Sequence, residues 1–209
     1  MRKKAKIFLL LAAFLGLGAV FAITQNAQAT TSQSGTATIL TTVLDTLSMS
    51  CANASIPTLT AGLAQSVQAA CTVTINGASG FNLKVHKTTS ASDAAKTLVH
   101  SDNSTWIADA LTPYNETAGS TATWSAGTTK GLGFRVQVTG TTNANTVTDW
   151  GADGSAKYAA FPTVDKTIYN YASYVSTASA VNIDYKLDVP SAQKAGTYTG
   201  TVLYTATTN

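Results

Sequence analysis

Val67-Gln-Ala-Ala-Cys71-Thr-Val-Thr-Ile75, then Asn76-Gly-Ala-Ser-Gly80, then Phe81-Asn-Leu-Lys-Val-His86 is the stretch that decides the fold class. Val67, Ala69, Cys71, Val73 and Ile75 fall at every second position, with Gln68, Thr72 and Thr74 between them. Successive side chains of an extended chain point to opposite faces, so the run buries an apolar face and shows a hydroxyl-bearing one. Phe81, Leu83 and Val85 repeat the pattern against Asn82, Lys84 and His86. A glycine-bearing loop of this length between two such runs predicts a β-hairpin, and Ser79 is explained by turn chemistry.

The same period of two recurs outward from this stretch. Val181, Ile183, Tyr185, Leu187 and Val189 alternate with Asn182, Asp184, Lys186 and Asp188. Pro190 to Gly196 reads as a turn, and Tyr198, Val202 and Tyr204 share one face of a last strand that runs almost to Asn209. Leu132, Phe134, Val136 and Val138 form another strand, and the Tyr-rich Thr167 to Ser176 a further one. Leu47, Met49 and Cys51 share a face near the start. Thr88 to Lys130 alternates poorly and is rich in Ser, Thr, Asp and Gly, so it is expected to hold short edge strands and long loops, with one helical turn over Ser90 to Lys96. Many strands with turn signals between them, and no long amphipathic helix after the first residues, predict an antiparallel β-sandwich.

The first residues read as an export leader. Arg2, Lys3, Lys4 and Lys6 precede an uncharged apolar run from Ile7 to Ile23, and Ala27-Gln-Ala29 offers a small-x-small cleavage site. The expected organisation is therefore a cleaved leader at 1–29 and one domain over 30–209, with an irregular insertion around 88–130. A retained membrane anchor is the competing reading, since the apolar run is near the short end of a bilayer span. The leader holds four of the 13 basic residues and none of the 10 acidic ones, which leaves nine basic against ten acidic residues and a net charge of −1. Such a chain has no basic field for nucleic acid or acidic lipid. No second hydrophobic run, sorting motif or lipid-attachment cysteine follows, so no membrane span is expected after cleavage.

Cys51 and Cys71 are the only cysteines, and both fall on apolar faces. Export makes a disulfide feasible. It would close a loop of about 20 residues and contribute roughly 3 kcal/mol by chain entropy. Two free buried thiols are the alternative.

Val181-Asn-Ile-Asp-Tyr-Lys-Leu-Asp-Val-Pro190 followed by Ala195-Gly-Thr-Tyr-Thr-Gly-Thr-Val-Leu-Tyr204 resembles the end of bacterial secreted surface β-sandwiches of the spore coat protein U and secreted-pilin group. Cys51, then Cys71-Thr-Val-Thr-Ile75 and Phe81-Asn-Leu83, is similar to the cysteine arrangement at the start of that group. Tyr185-Lys-Leu187 with Pro190 also resembles the tail of WxL-type wall-binding domains, with tyrosine where tryptophan is expected and a further strand after it. The resemblance covers about residues 40–85 and 167–209. It implies an immunoglobulin-like or pilin-like β-sandwich with an extracellular, non-enzymatic role and subunit–subunit assembly.

Chemistry-bearing patterns are few. His86 sits on a polar strand face and His100 in a polar loop, and neither has a His or Cys at ligand spacing. A Gly-x-Ser-x-Gly elbow is absent from the sequence. Asp184 and Asp188 are about 13 Å apart along one strand, with Lys186 between them, and read as a solvated face and not as a hydrolytic pair. Asp149-Trp-Gly-Ala-Asp153-Gly154 has half the oxygen ligands of a calcium loop and reads as an Asp-Gly turn. No cofactor is expected.

Trp106, Trp124 and Trp150 all lie in the irregular middle; each either closes a small core beneath a loop or offers a ring to a ligand. These features together point to a secreted structural or adhesive surface subunit whose partners are copies of itself or other surface proteins. A carbohydrate- or cell-wall-binding module using the tryptophans is the alternative, and a secreted enzyme a distant third. Ile39, Thr41 and Val43 alternate within Thr30 to Asp45, which would suit a strand donated to a neighbour.

Overall fold

The computed structural model describes residues 40–88, 96–117, 120–143, 148–174 and 177–209. The expected leader, residues 30–39 of the expected donor segment and most of the turn expected at Ser90 to Lys96 lie outside the described residues. The chain divides after Thr42. Residues 40–42 carry no strand, and Leu40 is exposed.

Val43–Asn209 holds twelve described strands. They are β1 Leu47–Cys51, β2 Gln65–Ile75, β3 Phe81–Lys87, β4 Leu98–His100, β5 Trp106–Ile107, β6 Ala122–Thr123, β7 Gly131–Val136, β8 Lys157–Tyr158, β9 Lys166–Tyr171, β10 Ser179–Asp188, β11 Tyr198–Thr199 and β12 Val202–Thr208. Two 3₁₀ turns, Thr148–Trp150 and Asp153–Ser155, precede β8. The strands form an antiparallel four-stranded sheet ordered β1-β2-β10-β7 and an antiparallel three-stranded sheet ordered β12-β3-β9. Smaller sheets, β11-β4-β5 and β6-β8, complete the set.

The two larger sheets share one core. Val73, Ile75, Val181 and Ile183 of the first pack with Phe81, Leu83, Val85 and Tyr169 of the second, each 3% exposed or less. This is an all-β, sandwich-like architecture, and the alternation of β2, β3 and β10 is what builds it. Between Leu83 and Lys84 the register with β9 slips by one residue. That irregularity lets Ile168 and Tyr169, neighbours in sequence, both be buried.

Three features depart from the sequence reading. The first is the expected hairpin. β2 pairs with β1 and β10, whereas β3 pairs with β12 and β9, so the Asn76–Gly80 corner carries the chain from one sheet to the other. Alternation shows which face is buried, but a five-residue loop serves a side-by-side or a face-to-face partner equally well. The corner is packed onto the end of β9: Gly80 has φ +78°, and a Cβ there would lie 1.8 Å from the Tyr171 carbonyl oxygen.

Second, the single last strand is two. Tyr198–Thr199 pairs with β4 and Val202–Thr208 with β3. The change of sheet occurs at Gly200, where a Cβ would stand 2.3 Å from the Thr97 carbonyl oxygen. Third, the Asn/Asp/Lys face of β10 is not solvated. Asp184 is 9% and Asp188 0% exposed: Arg135, opposite Asp184 on β7, pairs with the first, and Lys130, just ahead of β7, with the second.

Candidate functional site

The sandwich has two flanks, where the edges of its two layers meet. One runs between β7 and β9, and the other between β1 and β12.

The β7/β9 flank is filled by the middle of the chain. Trp150, 1% exposed, stacks on Tyr114 at 4.6 Å and packs against Phe134 of β7 at 5.1 Å. Its indole N–H donates to the Ile168 carbonyl of β9 at 3.2 Å, so one side chain ties the two layers. Phe161 stacks on Phe134 at 4.2 Å. The Tyr114 hydroxyl donates to Asp149 and the Thr121 hydroxyl to the Asp149 carbonyl, which anchors the 3₁₀ turn. Burial and the adjacent Asp149 raise the Tyr114 phenol well above its usual range. Asp149 thus fastens a loop to the core.

Asp153 does likewise. It accepts from the Val138 and Thr139 N–H groups and the Thr139 hydroxyl, and pairs with Arg135 at 2.8 Å. Burial opposes its ionisation, but these donors outweigh burial and hold the carboxyl down at about 2. Arg135 also reaches Asp184, which accepts from the Tyr158 hydroxyl at 2.7 Å. Asp188 accepts from Lys130 at 2.7 Å and from the Gly62 N–H at 3.0 Å. These two aspartates are the buried acceptors of separate ion-pair networks. Their partners Arg135 and Lys130 are some 50 positions away in sequence, so no local signal announced them.

The β1/β12 flank is built differently. Among the described residues, β1 ends one sheet and β12 the other, and each has a single hydrogen-bonded neighbour. They lie close to one another without pairing. The Ala52 N–H donates to Ala70 of β2, and the Asn209 N–H to Gly80 beside β3. Antiparallel alternation then turns the backbone groups of Leu47, Met49 and Cys51, and of Val202, Tyr204 and Ala206, toward the open flank. The side chains of the same six residues are partly buried against the core.

Between the edges lies a groove of about 520 Å³, lined by Met49, Cys51, Ile56, Tyr185, Val202 and Tyr204 among others. On its floor the Tyr185 and Tyr204 hydroxyls meet at 2.7 Å, and burial raises both phenols. A larger groove of about 790 Å³ continues it, between the 54–61 loop and the 187–200 segment. Cys51 and Cys71 are bonded, with S–S 2.00 Å, and stand directly opposite in the β1–β2 register, so the disulfide clamps the edge strand to its one neighbour. Ahead of β1, Val43 and Leu44 are 77% and 79% exposed.

The other expected site residues are dispersed. Trp124 is 8% exposed and meets Tyr158 edge-on in a small second cluster with Ala110, and Trp150 is in the main core, so neither shows a ring face to solvent. Trp106 is 43% exposed, with the Lys96 ammonium 3.7 Å from its ring centroid. His86 is partly exposed and meets Asp165 at 2.6 Å. His100 is not in an open loop: it is on β4, 7% exposed, with Tyr198 against its ring and its Nδ1 accepting from the Asp102 N–H. Among the described residues there is no group of three or more His, Cys, Asp or Glu that could hold a metal, and no helix long and apolar enough to cross a membrane.

Compared with protein-family models, with curated proteins and with solved structures, the chain matches none.

Proposed function

We propose that the protein is a non-enzymatic, extracellular surface protein, a structural or adhesive subunit of a cell-surface layer or fibre, with an immunoglobulin-like or pilin-like sandwich that associates with further copies of itself. The observation that carries this reading is the open flank. Among the described residues, two unpaired strand edges face one groove of mixed apolar and polar lining, and an unpaired edge is a template for another strand. The exposed apolar pair Val43 and Leu44, two residues ahead of β1, offers a neighbouring copy a segment of the right character. The glycan-binding alternative narrows to Trp106, since the other two tryptophans are buried.

The test is removal of residues 30–45 from the exported chain. Light scattering should show the loss of assemblies, and electron microscopy the loss of any surface layer or fibre, while the far-ultraviolet spectrum keeps its β character. Assemblies that survive the deletion would refute donation of this segment. A wild-type protein that stays monomeric at high concentration, and is absent from the cell surface, would remove the subunit reading altogether.

A further inference from the structure

Lys87, the last residue of β3, is wholly buried, and its side chain meets that of Asp109 with 0% and 2% exposure respectively. Nζ lies 2.8 Å from Oδ2. Thr97 holds both carboxylate oxygens: its N–H donates to Oδ1 at 3.0 Å and its hydroxyl to Oδ2 at 2.8 Å. The pair joins the two layers. β3 belongs to the three-stranded sheet, while residues beside Asp109 are bonded to β7 of the four-stranded one, Ala110 N–H to Leu132 O at 2.7 Å and Leu132 N–H to Ala108 O at 3.0 Å.

Surroundings this dry oppose a pair of separated charges. Burial raises the Asp109 carboxyl above the usual carboxylate range, and Lys87 and Thr97 offset only part of that. An amine and a carboxylic acid held in contact, with water excluded, have the high effective concentration of an intramolecular reaction.

We propose that Lys87 and Asp109 form an intramolecular amide cross-link, a covalent staple between the two layers of the sandwich. The ammonium first gives a proton to Oδ2, leaving an amine and a carboxylic acid. The nitrogen lone pair then attacks Cγ, and the charge that develops on Oδ1 is held by the Thr97 N–H. The nitrogen loses a second proton, which reaches Oδ2 through the Thr97 hydroxyl. The Cγ–Oδ2 bond breaks and Oδ2 leaves as water. One amide and one water are formed, and nothing is oxidised or reduced. Thr97 acts as oxyanion donor and proton relay. The inference does not depend on the assembly reading, since it concerns one chain alone.

The experiment is mass spectrometry of the purified full chain after disulfide reduction, with a proteolytic digest so that N-terminal processing does not enter. The cross-link predicts one branched peptide containing Lys87 and Asp109, about 18 Da lighter than the sum of its two arms, with no tryptic cleavage after Lys87. In Lys87→Arg and Asp109→Ala the deficit should vanish. In Asp109→Asn the lost group becomes ammonia, and the deficit about 17 Da. Thr97→Val should slow accumulation of the branched peptide in a time course after synthesis. Separate, unmodified Lys87 and Asp109 peptides from the wild-type protein would overturn the proposal, whether or not any variant folds.

Discussion

Along the flank between β7 and β9, the gap between the layers is occupied by Trp150, which touches one sheet and hydrogen-bonds to the other. Along the flank between β1 and β12, the gap is a groove floored by two tyrosine hydroxyls. Both flanks belong to the same pair of sheets and face the same core. The closed flank is filled by Tyr114, Trp150 and Phe161 from the middle of the chain, whose loops are held by Asp149, Asp153, Arg135 and Asp184. On the open flank the Cys51–Cys71 bond fixes β1 to β2, and the Tyr185 and Tyr204 hydroxyls meet across the two layers. If the open side is where a partner seats, as proposed, stability and assembly should separate by flank.

The largest effect should come from Trp150→Ala. It removes a fully buried indole and the hydrogen bond to Ile168, and large-to-small changes of this kind cost about 3–5 kcal/mol. Denaturant unfolding should show that loss with self-association per folded molecule unchanged. A cost below about 1 kcal/mol would mean that Trp150 does not seal the flank.

Next comes the open flank's own fastening. Cys51→Ala with Cys71→Ala should cost about 2–3 kcal/mol, close to the chain-entropy value for the 20-residue separation. Hydrogen exchange should show the loosening concentrated in β1. Equal loosening of β7 would show that the flanks are not independent.

Acid should weaken the closed flank through Asp153. The Asp153 carboxyl is depressed to about 2 from an ordinary 3.8, so the folded state binds its proton less readily than the unfolded state. Its contribution is complete above about pH 4 and is lost as pH falls toward 2, at about 1–2 kcal/mol after discounting for its partial exposure. Asp153→Asn should lack that part of the acid slope. A mutant that keeps the wild-type slope between pH 4 and 2 would assign it to other carboxylates.

The flanks also differ in how far they could be read from sequence. Val67 to Ile75, Phe81 to Val85 and Val181 to Leu187 announce buried strands, because period two is a property of each strand alone. Cys51 and Cys71 on like faces anticipate their bond for the same reason. The corner at Gly80 does not announce its partner, since the carbonyl it packs against belongs to Tyr171, ninety-one positions on. Asp184 and Asp188 read as solvated because their cations come from other elements. His100 read as a loop residue because a three-residue strand carries too little pattern to register. The open flank is not legible in the sequence as a place. Its two edges, 47–51 and 202–208, stand at opposite ends of the chain, and only the strand order shows them side by side.

The smallest effect on stability should accompany the largest effect on assembly. Val43→Asp with Leu44→Asp replaces two side chains that are more than three-quarters exposed, so the folded monomer loses no buried surface and its stability should change by less than about 0.5 kcal/mol. The open flank predicts a different result for association. A charged pair in a strand entering the groove beside Met49, Val202 and Tyr204 would lose water without gaining an opposite charge, which costs more than the contact gains. Sedimentation of the double mutant should therefore show monomer at concentrations where the wild-type chain associates, with an unchanged melting transition. A lowered melting transition would mean that Val43 and Leu44 already cover the groove of their own chain. Unaltered association at unaltered stability would place the contact away from residues 43–44, with Leu203 of β12, 48% exposed at the groove, the next position to charge.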